Sequence, residues 1–486
     1  MSTQIVQERM LIGGHWVHKN ESIDVFDPGT GDLIATVPEA TVEDVEFAIE
    51  TAREGLQKSA RLPVHERMRI LQDAASYIES NQDVYVTTIV LESSKTIREA
   101  RKEVKRCIET LRISAEEARR IEGETIPFSQ MPGHENRVGY VYRFPVGIVA
   151  AITPFNDPLN LVAHKVGPAI AAGNAVIVKP ATATPLSAIR LAEAFLHAGL
   201  PKEILSVVTG RGAQICDPLV EHEDVRFVSF TGGYETGKEI TRKVGVKKTA
   251  MELGSNSPTI VLEDADLNEA VLSTVSGSFG VAGQNCIGVQ RIFVHHGIYE
   301  AFLKQFITAT KKLKVGLKTD ESTDLGPLIS EKEAKRVEGW IREAVKMGAK
   351  VKCGGKRTRA FLEPTVLTEV PKTATLAQYE VFGPVVIIES ISSLIEGIER
   401  SNQTGYGLQA GIFTSKLEEA FEAIHQLQYG GVMINDSSDV RIDSMPFGGI
   451  KGSGIGREGV RYAIEAMTEQ KVVAFKLKNA PFFYGD

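Results

Sequence analysis

Between Val138 and Val244 the chain alternates short apolar runs with amphipathic stretches, and this rhythm restricts the fold more than any other feature. Residues 147–152, 175–178, 204–208 and 225–230 read as strands, and residues 157–172, 185–199 and 234–244 as helices. Strands separated by helices pair in parallel, with the crossover helices on both faces of the sheet. Ligands of such sheets sit at the carboxyl ends of the strands. Three polar stretches lie there: Thr153-Pro154-Phe155-Asn156, Lys179-Pro180-Ala181-Thr182, and Phe230-Thr231-Gly232-Gly233-Tyr234-Glu235-Thr236-Gly237.

On either side the texture differs. Residues up to about Pro38 read as short strands and turns, and the following segments as helices. The last of these, 96–121, is so strongly charged that a solvated surface helix is expected. After Gly254 a second alternating region begins, with strands expected at 259–262, 385–388 and 432–434, helices at 267–279 and 331–346, and a β-like tail at 471–477. No internal repeat or low-complexity linker interrupts it.

Composition narrows the function classes. The 486 residues suffice for several domains without a disulfide or metal staple. A net charge of −7 offers no basic face for nucleic acid or an anionic membrane. The four cysteines, Cys107, Cys216, Cys286 and Cys353, form no CxxC pair, so neither a disulfide framework nor a metal site is expected. The start lacks a signal-peptide pattern and no run approaches eighteen apolar residues, so a cytoplasmic protein is expected.

Two motif matches fail on their chemistry. Gly232 to Lys238 fits the start of a phosphate loop, but Glu239 stands where a magnesium-binding hydroxyl is required. Gly454-Ile455-Gly456-Arg457-Glu458-Gly459 fits a dinucleotide fingerprint in letters only; no strand is expected before it, so it reads as a flexible or structural loop.

Cys286 lies in Gly283-Gln284-Asn285-Cys286-Ile287-Gly288, between small turns that let backbone N–H groups approach a sulfur-bound group. Alone it reads equally as a small buried hydrophobe. Glu252, at the end of an apolar strand, could serve as a desolvated general base or be a surface acid. Asn156 could hold an oxyanion or simply form a turn, and Lys179 could bind sugar or phosphate or end a strand.

Together these residues are recognisable. The chain resembles the aldehyde dehydrogenase superfamily over essentially its whole length. Thr153-Pro154-Phe155-Asn156, Met251-Glu252-Leu253-Gly254 and Gly283-Gln284-Asn285-Cys286 match the family's oxyanion, base and nucleophile motifs, with Cys286 following Glu252 by 34 positions. Glu380-Val381-Phe382-Gly383-Pro384 matches the segment that holds the nicotinamide ribose and ring, and Pro446 to Gly454 the loop at the substrate entrance. The resemblance implies an α/β fold: a Rossmann-like cofactor domain (1–121 and 143–253), an α/β catalytic domain (254–462), and a small β oligomerisation arm (122–142 and 463–486). It also implies dimers or tetramers.

The resemblance further implies attack of the Cys286 thiolate on an aldehyde, with Asn156 stabilising the oxyanion, hydride transfer to the nicotinamide, and hydrolysis of the thioester by water that Glu252 activates. Lys165 and Glu469 match positions proposed to relay protons. Ile152, Thr153, Pro154, Lys179, Thr182, Arg211, Phe230, Thr231, Gly232, Gly233, Glu235, Gly237, Leu253, Glu380 and Phe382 are the implied cofactor residues. Many NAD-preferring members have a glutamate where this chain has Thr182. Its absence removes repulsion of a 2′-phosphate, and Lys179 with Arg211 could supply cations, so NADP is expected, with NAD possible.

For the substrate, the tract from Asn435 to Pro446 looks most like lactaldehyde-type members, and Gly210-Arg211-Gly212 is similar to non-phosphorylating glyceraldehyde-phosphate members. Arg441 and Arg106 could bind an anionic tail. Asp157 and Asn285 stand where that phosphate-binding branch has other residues, which favours a short hydroxylated or acid-bearing aldehyde over a phosphate. A glyceraldehyde 3-phosphate or semialdehyde dehydrogenase is the alternative. A cysteine hydrolase is disfavoured because no histidine lies within eight residues of Cys286. A P-loop hydrolase is disfavoured by Glu239, and a purely structural protein by the complete reactive set.

Overall fold

The structure, a computed structural model, describes residues 6–478, so positions 479–486 of the expected arm lie outside the described residues. Strands Ile148–Ile152, Ala175–Lys179, Leu205–Val207, Val225–Thr231 and Lys248–Glu252 form the parallel centre of an eight-stranded sheet. Every residue of Ile148–Ile152 and Ala175–Lys179 is buried. Helices cover both sheet faces, which is why these strands read as unbroken apolar runs. From Ile148–Ile152 the chain winds outward in one direction through Ala175–Lys179, then returns to start Val225–Thr231 on the opposite side. The crevice of this sheet therefore opens between Thr153 and Thr231, at the switch in strand order.

A second sheet of seven strands contains Ser257–Val261, Val289–His295, Val385–Ile391 and Gln409–Phe413, all parallel. Helix Leu267–Phe279 links the first two and leads into the Cys286 loop, just before the interior strand Val289–His295. A third, antiparallel sheet joins Thr468–Lys476, Arg137–Pro145 and Glu124–Ile126.

The boundaries differ in detail from those the sequence suggests. Position 142 falls inside Arg137–Pro145, which is continuous because all nine residues pair with Thr468–Lys476. Position 462 falls inside helix Val460–Ala466. Gly454–Ile455, expected as loop, is a short strand that pairs antiparallel with Met251 and Glu252, so a piece of the second segment completes the first sheet.

Helix Ile97–Ala118 begins at a capping box between Thr96 and Glu99 and is no mere solvated helix. Its inner face buries Glu103, Thr110 and Ser114 among apolar side chains. The Glu103 carboxylate accepts the N–H groups of Leu159 (2.8 Å) and Asn160 (3.0 Å) and so caps helix Asn160–Ala172. That helix starts three residues later than its apolar pattern suggests, because residues 157–159 turn to bring Asp157 into the active-site cavity. Helix Gly212–Glu221 was not foreseen at all; Pro218 within it masks the pattern.

Candidate active site

Helix Leu267–Phe279 ends in a tight turn in which Val281 (φ 52°) and Ala282 (φ 53°) both adopt the left-handed conformation. For a β-branched residue this is costly and persists only where surrounding contacts enforce it. The Glu99 carboxylate accepts the Val281 N–H at 2.7 Å. The Gln284 amide donates to the Val281 carbonyl (3.1 Å) and the Pro327 carbonyl (3.3 Å), and its oxygen accepts from the Ile329 N–H (2.8 Å). The turn is thus clamped from both domains, and the next residues set Cys286 in a cavity of about 310 Å³.

Asn156, Asp157, Arg106, Asn285 and Arg441 line the same cavity. Asn156 donates one amide N–H to the Gln284 carbonyl at 3.1 Å, which turns the amide toward the nucleophile loop and leaves its second N–H for an oxyanion. Burial pushes the Cys286 thiol up to about 12, against the nearby Arg441 cation, while the Glu380, Glu252 and Glu458 charges add to the rise. The resting sulfur is therefore a thiol, and becoming nucleophilic requires a proton acceptor.

Glu252 ends the strand Lys248–Glu252 and is 3 % exposed, with both carboxylate oxygens lacking a hydrogen-bond partner. Burial, and then the Glu458 charge, hold its pKa well above the carboxylate range. Glu458 behaves oppositely. Burial pushes it up, but Lys165 and Arg441 outweigh burial and hold it well below the usual range. Lys165 Nζ donates to Glu458 Oε1 and to Ser229 Oγ, each at 2.9 Å, and Arg441 donates to Glu458 Oε2 at 3.1 Å. Two carboxyl groups driven in opposite directions can hold and release a proton at one site.

This corrects the expected Lys165–Glu469 relay. Glu469 is on the arm strand, pairs with Lys248 at 3.0 Å and is half exposed, so it does not reach Lys165. The partner is Glu458, which lies in the glycine tract that reads as a loop.

The remaining expected residues surround the sheet crevice. Glu380 accepts the Ser255 N–H at 2.9 Å, and burial pushes its carboxyl up to about 7. A Cβ on Gly254 would stand 2.3 Å from Glu380 Oε2, so only glycine permits that approach. Phe382 (φ 47°) packs edge-on against Phe155, with centroids 5.6 Å apart. Lys179 is buried, its ammonium 3.4 Å from Thr182 Oγ1, which in turn donates to the Gly210 carbonyl at 3.2 Å. Thr182 and Arg211 line a cleft of about 740 Å³, where Arg211 is half exposed and paired with Glu39 at 2.9 Å. A Cβ on Gly237 would stand 2.3 Å from Leu253, and Gly233 opens onto empty space before helix Tyr234–Lys243. Free N–H groups at a helix start, a buried ammonium and a ribose-height carboxylate together fit a dinucleotide. Ile152, Thr153, Pro154, Phe230, Thr231 and Gly232 form the crevice walls, while Glu235 points outward at 76 % exposure.

The cavity cations are already partnered. Arg106 donates to both Asp443 oxygens (2.7 and 3.2 Å) and to Asp157 (3.3 Å). Lys95 pairs with Glu103 at 2.7 Å and with Asp157. Asp443 also accepts from His164 Nε2 (2.9 Å) and Asn160 (3.2 Å), so it ties the loop carrying Arg441 to two helices. Arg441 lies flat on Phe447, 3.8 Å from the ring centroid.

Sequence and structure comparisons agree with this architecture. The profile described as "Aldehyde dehydrogenase family" matches residues 16–473, and the chain belongs to that family. It is an aldehyde dehydrogenase, an oxidoreductase that uses NAD or NADP. It is 46% identical over 475 residues to a 3-sulfolactaldehyde dehydrogenase of Priestia aryabhattai, covering 98% of this chain and 99% of the relative. It is 47% identical to aspartate-semialdehyde dehydrogenase 1 of Pseudomonas canavaninivorans, covering 94% and 97%. The NADP-dependent glyceraldehyde-3-phosphate dehydrogenase of Bacillus halodurans C-125, solved with NADP, superposes with a TM-score of 0.95 at 37% identity, covering 97% and 99%. Among the described residues no helix is long and apolar enough to cross a membrane.

Proposed function

We propose that the protein oxidises a short, hydroxylated or anionic aldehyde to its carboxylate, with NADP as the preferred oxidant. The observation that carries this reading is the convergence of Cys286, Asn156 and Arg441 on one cavity, together with the buried Glu252 carboxyl, both of whose oxygens lack a hydrogen-bond partner.

In this reading the Cys286 sulfur adds to the aldehyde carbon as its proton passes to Glu252, whose raised pKa suits it to accept one. The free Asn156 N–H and the Cys286 backbone N–H hold the resulting oxyanion. Glu380 and Phe382 would hold a nicotinamide and the start of helix Tyr234–Lys243 the cofactor's phosphates, and the bound group would supply the hydride acceptor. Once Glu252 has passed the thiol's proton to the Glu458–Lys165 pair, Cys286 stands as a thioester; the re-ionised Glu252 draws a proton from water as it attacks, and collapse of the adduct expels the Cys286 thiolate and frees the acid. Glu458 and Lys165 then take that proton from Glu252 toward Ser229. Lys179, Thr182 and Arg211 bind the adenosine ribose and leave room for a 2′-phosphate; the NADP-bound relative supports that choice. The Arg137–Pro145 sheet, with Tyr142, Val472 and Phe475 exposed, is proposed as the subunit contact of a dimer or tetramer, and the segments it joins as the arm.

A panel of short aldehydes, read at the nicotinamide absorbance band with each cofactor, tests the reading. Turnover with NADP and an anionic or hydroxylated aldehyde is expected. Absence of any reduced cofactor across the panel, or at least tenfold better kcat/KM with NAD, would overturn the respective part.

A further inference from the structure

The cavity around Cys286 contains a carboxylate that the chemistry above leaves idle. Asp157 follows Asn156 directly and lines the same 310 Å³ cavity, with its side chain 19 % exposed. Lys95 and Arg106 each occupy one of its oxygens. An ionised carboxylate offers about four acceptor directions, so two remain open toward the cavity. An acceptor so placed beside the reacting carbon is matched by a substrate that brings a hydrogen-bond donor.

The charge balance restricts the other end of the substrate. Lys95 is neutralised by Glu103 and Asp157, Arg106 by Asp443 and Asp157, and Arg441 by Glu458. Among the described residues Lys102 lines the cavity as a cation with no salt bridge, and the carboxylates Glu99 and Asp439, likewise without one, stand within the same walls, Asp439 within reach of the Lys102 charge. The four cations of the lining, Lys95, Lys102, Arg106 and Arg441, are matched by the four carboxylates Glu99, Glu103, Asp157 and Asp439, so the walls hold no surplus positive charge, and the two unused N–H groups of Arg106 with Lys102 suffice for no more than one negative charge. A second charge would lie partly desolvated beside Asp157 and Asp439 without a counter-ion. The volume lies at the small end of ligand sites and suits a chain of a few heavy atoms.

We infer that this site selects a short aldehyde carrying a singly charged acid at its far end and a hydroxyl or ammonium group between that acid and the carbonyl. Asp157 accepts the hydrogen bond of that middle group, and Lys102 with Arg106 binds the acid. The inference rests on the proposed aldehyde oxidation and names its substrate class. A phosphate ester, doubly charged, is the excluded neighbour, in contrast to the triose phosphate named for the Bacillus halodurans relative.

The test compares kcat/KM at saturating NADP for matched pairs. 3-Sulfolactaldehyde is set against 3-sulfopropanal, which lacks the hydroxyl, and aspartate semialdehyde against succinate semialdehyde, which lacks the ammonium. Glyceraldehyde 3-phosphate serves as the doubly charged probe. The donor-bearing member of at least one pair is expected to be favoured about tenfold or more, because a site built around a polar acceptor rejects the analogue that leaves it unpaired. The pair with the larger ratio identifies the donor. Glyceraldehyde 3-phosphate should trail 3-sulfolactaldehyde by a similar factor.

In Asp157→Ala the donor preference should collapse to within about threefold, with NADP affinity unchanged. Should that variant fold poorly with Lys95 and Arg106 less well paired, Asp157→Asn provides the second reading, in which the penalty on the phosphate ester falls. Equal rates within both pairs, a donor preference that survives in Asp157→Ala, or, where only Asp157→Asn folds, an unchanged penalty on the phosphate ester, overturns the inference while leaving aldehyde oxidation intact. Failure to oxidise any member of the set overturns the underlying function instead.

Discussion

Lys165 Nζ lies 2.9 Å from Glu458 Oε1, and both side chains are fully enclosed, one from a helix of the first domain and one from a glycine tract of the second. Glu458 is also the second cause, after burial, of the raised pKa of Glu252. Replacing Glu458 by Gln removes that like charge, so Glu252 ionises at lower pH. The acidic limb of kcat should move down by about one pH unit, with a lower plateau because the relay is broken. A kcat profile from pH 5 to 9 measures this, and an upward shift would show that Glu458 does not act through its charge.

Cys286→Ser keeps the shape of the cavity but substitutes a far weaker nucleophile. Dehydrogenation should fall by at least about 1000-fold while NADP still binds, as followed by quenching of protein fluorescence. Residual turnover near the wild-type rate would remove Cys286 from the chemistry.

Thr182 presents a hydroxyl, not a carboxylate, to the Lys179 side of the crevice. In Thr182→Glu, a negative charge at that point repels a 2′-phosphate and offers acceptors to ribose hydroxyls. The ratio of kcat/KM for NADP over NAD should fall by about 100-fold, the equivalent of roughly 2.7 kcal/mol. An unchanged ratio would place the 2′-phosphate elsewhere.

Asp443 holds Arg106, His164 and Asn160 at once. Burial pushes its carboxyl up, but His164 and Arg106 hold it far below the usual range. A group whose folded pKa is depressed contributes stability that is present above the unfolded value, near 3.9, and is lost as pH falls through the folded value. Asp443→Asn should therefore cost about 3 kcal/mol in urea denaturation at pH 7. The deficit should persist down to about pH 4 and shrink only below it. A deficit that grows with acidity would contradict the pairing.

Val281 holds a left-handed conformation that glycine adopts freely. Val281→Gly exchanges that strain, about 1–3 kcal/mol, for the entropy of a glycine, about 0.5–1 kcal/mol. A higher Tm is expected, with a lower kcat as the turn before Cys286 loosens. A drop in Tm would mean that the Val281 side chain contributes more by packing than its backbone costs.

Strand-helix periodicity made the parallel centre of the first sheet legible but only part of the second, where Val289–His295 and Gln409–Phe413 escape because Gln290, Arg291 and Gln409 interrupt the apolar run. The three central motifs were legible as local patterns near element ends: Asn156 lies four residues past Ile148–Ile152, Glu252 closes Lys248–Glu252, and Cys286 lies three residues past the turn Gly280–Gly283. What escaped the pattern depends on long-range burial of charge. The helix from Ile97 looked solvated because Glu103 and Lys95 count as polar until their partners across the fold are known. Glu458 was hidden for the converse reason: local glycines suggested looseness, while Lys165 and Arg441, hundreds of residues upstream and nearby in sequence respectively, pull it inward.

The two-residue strand Gly454–Ile455 has a mechanical consequence. Its ladder to Met251 and Glu252 fastens Glu252 to the segment that carries Glu458, so a hinge motion cannot change the spacing of those carboxyl groups without unzipping main-chain bonds. The loop bearing Cys286 belongs to the other sheet and is free of that seam. Breathing between the two sheets would thus vary the distance from the Cys286 sulfur to Glu252 while the spacing of Glu252 and Glu458 stays fixed.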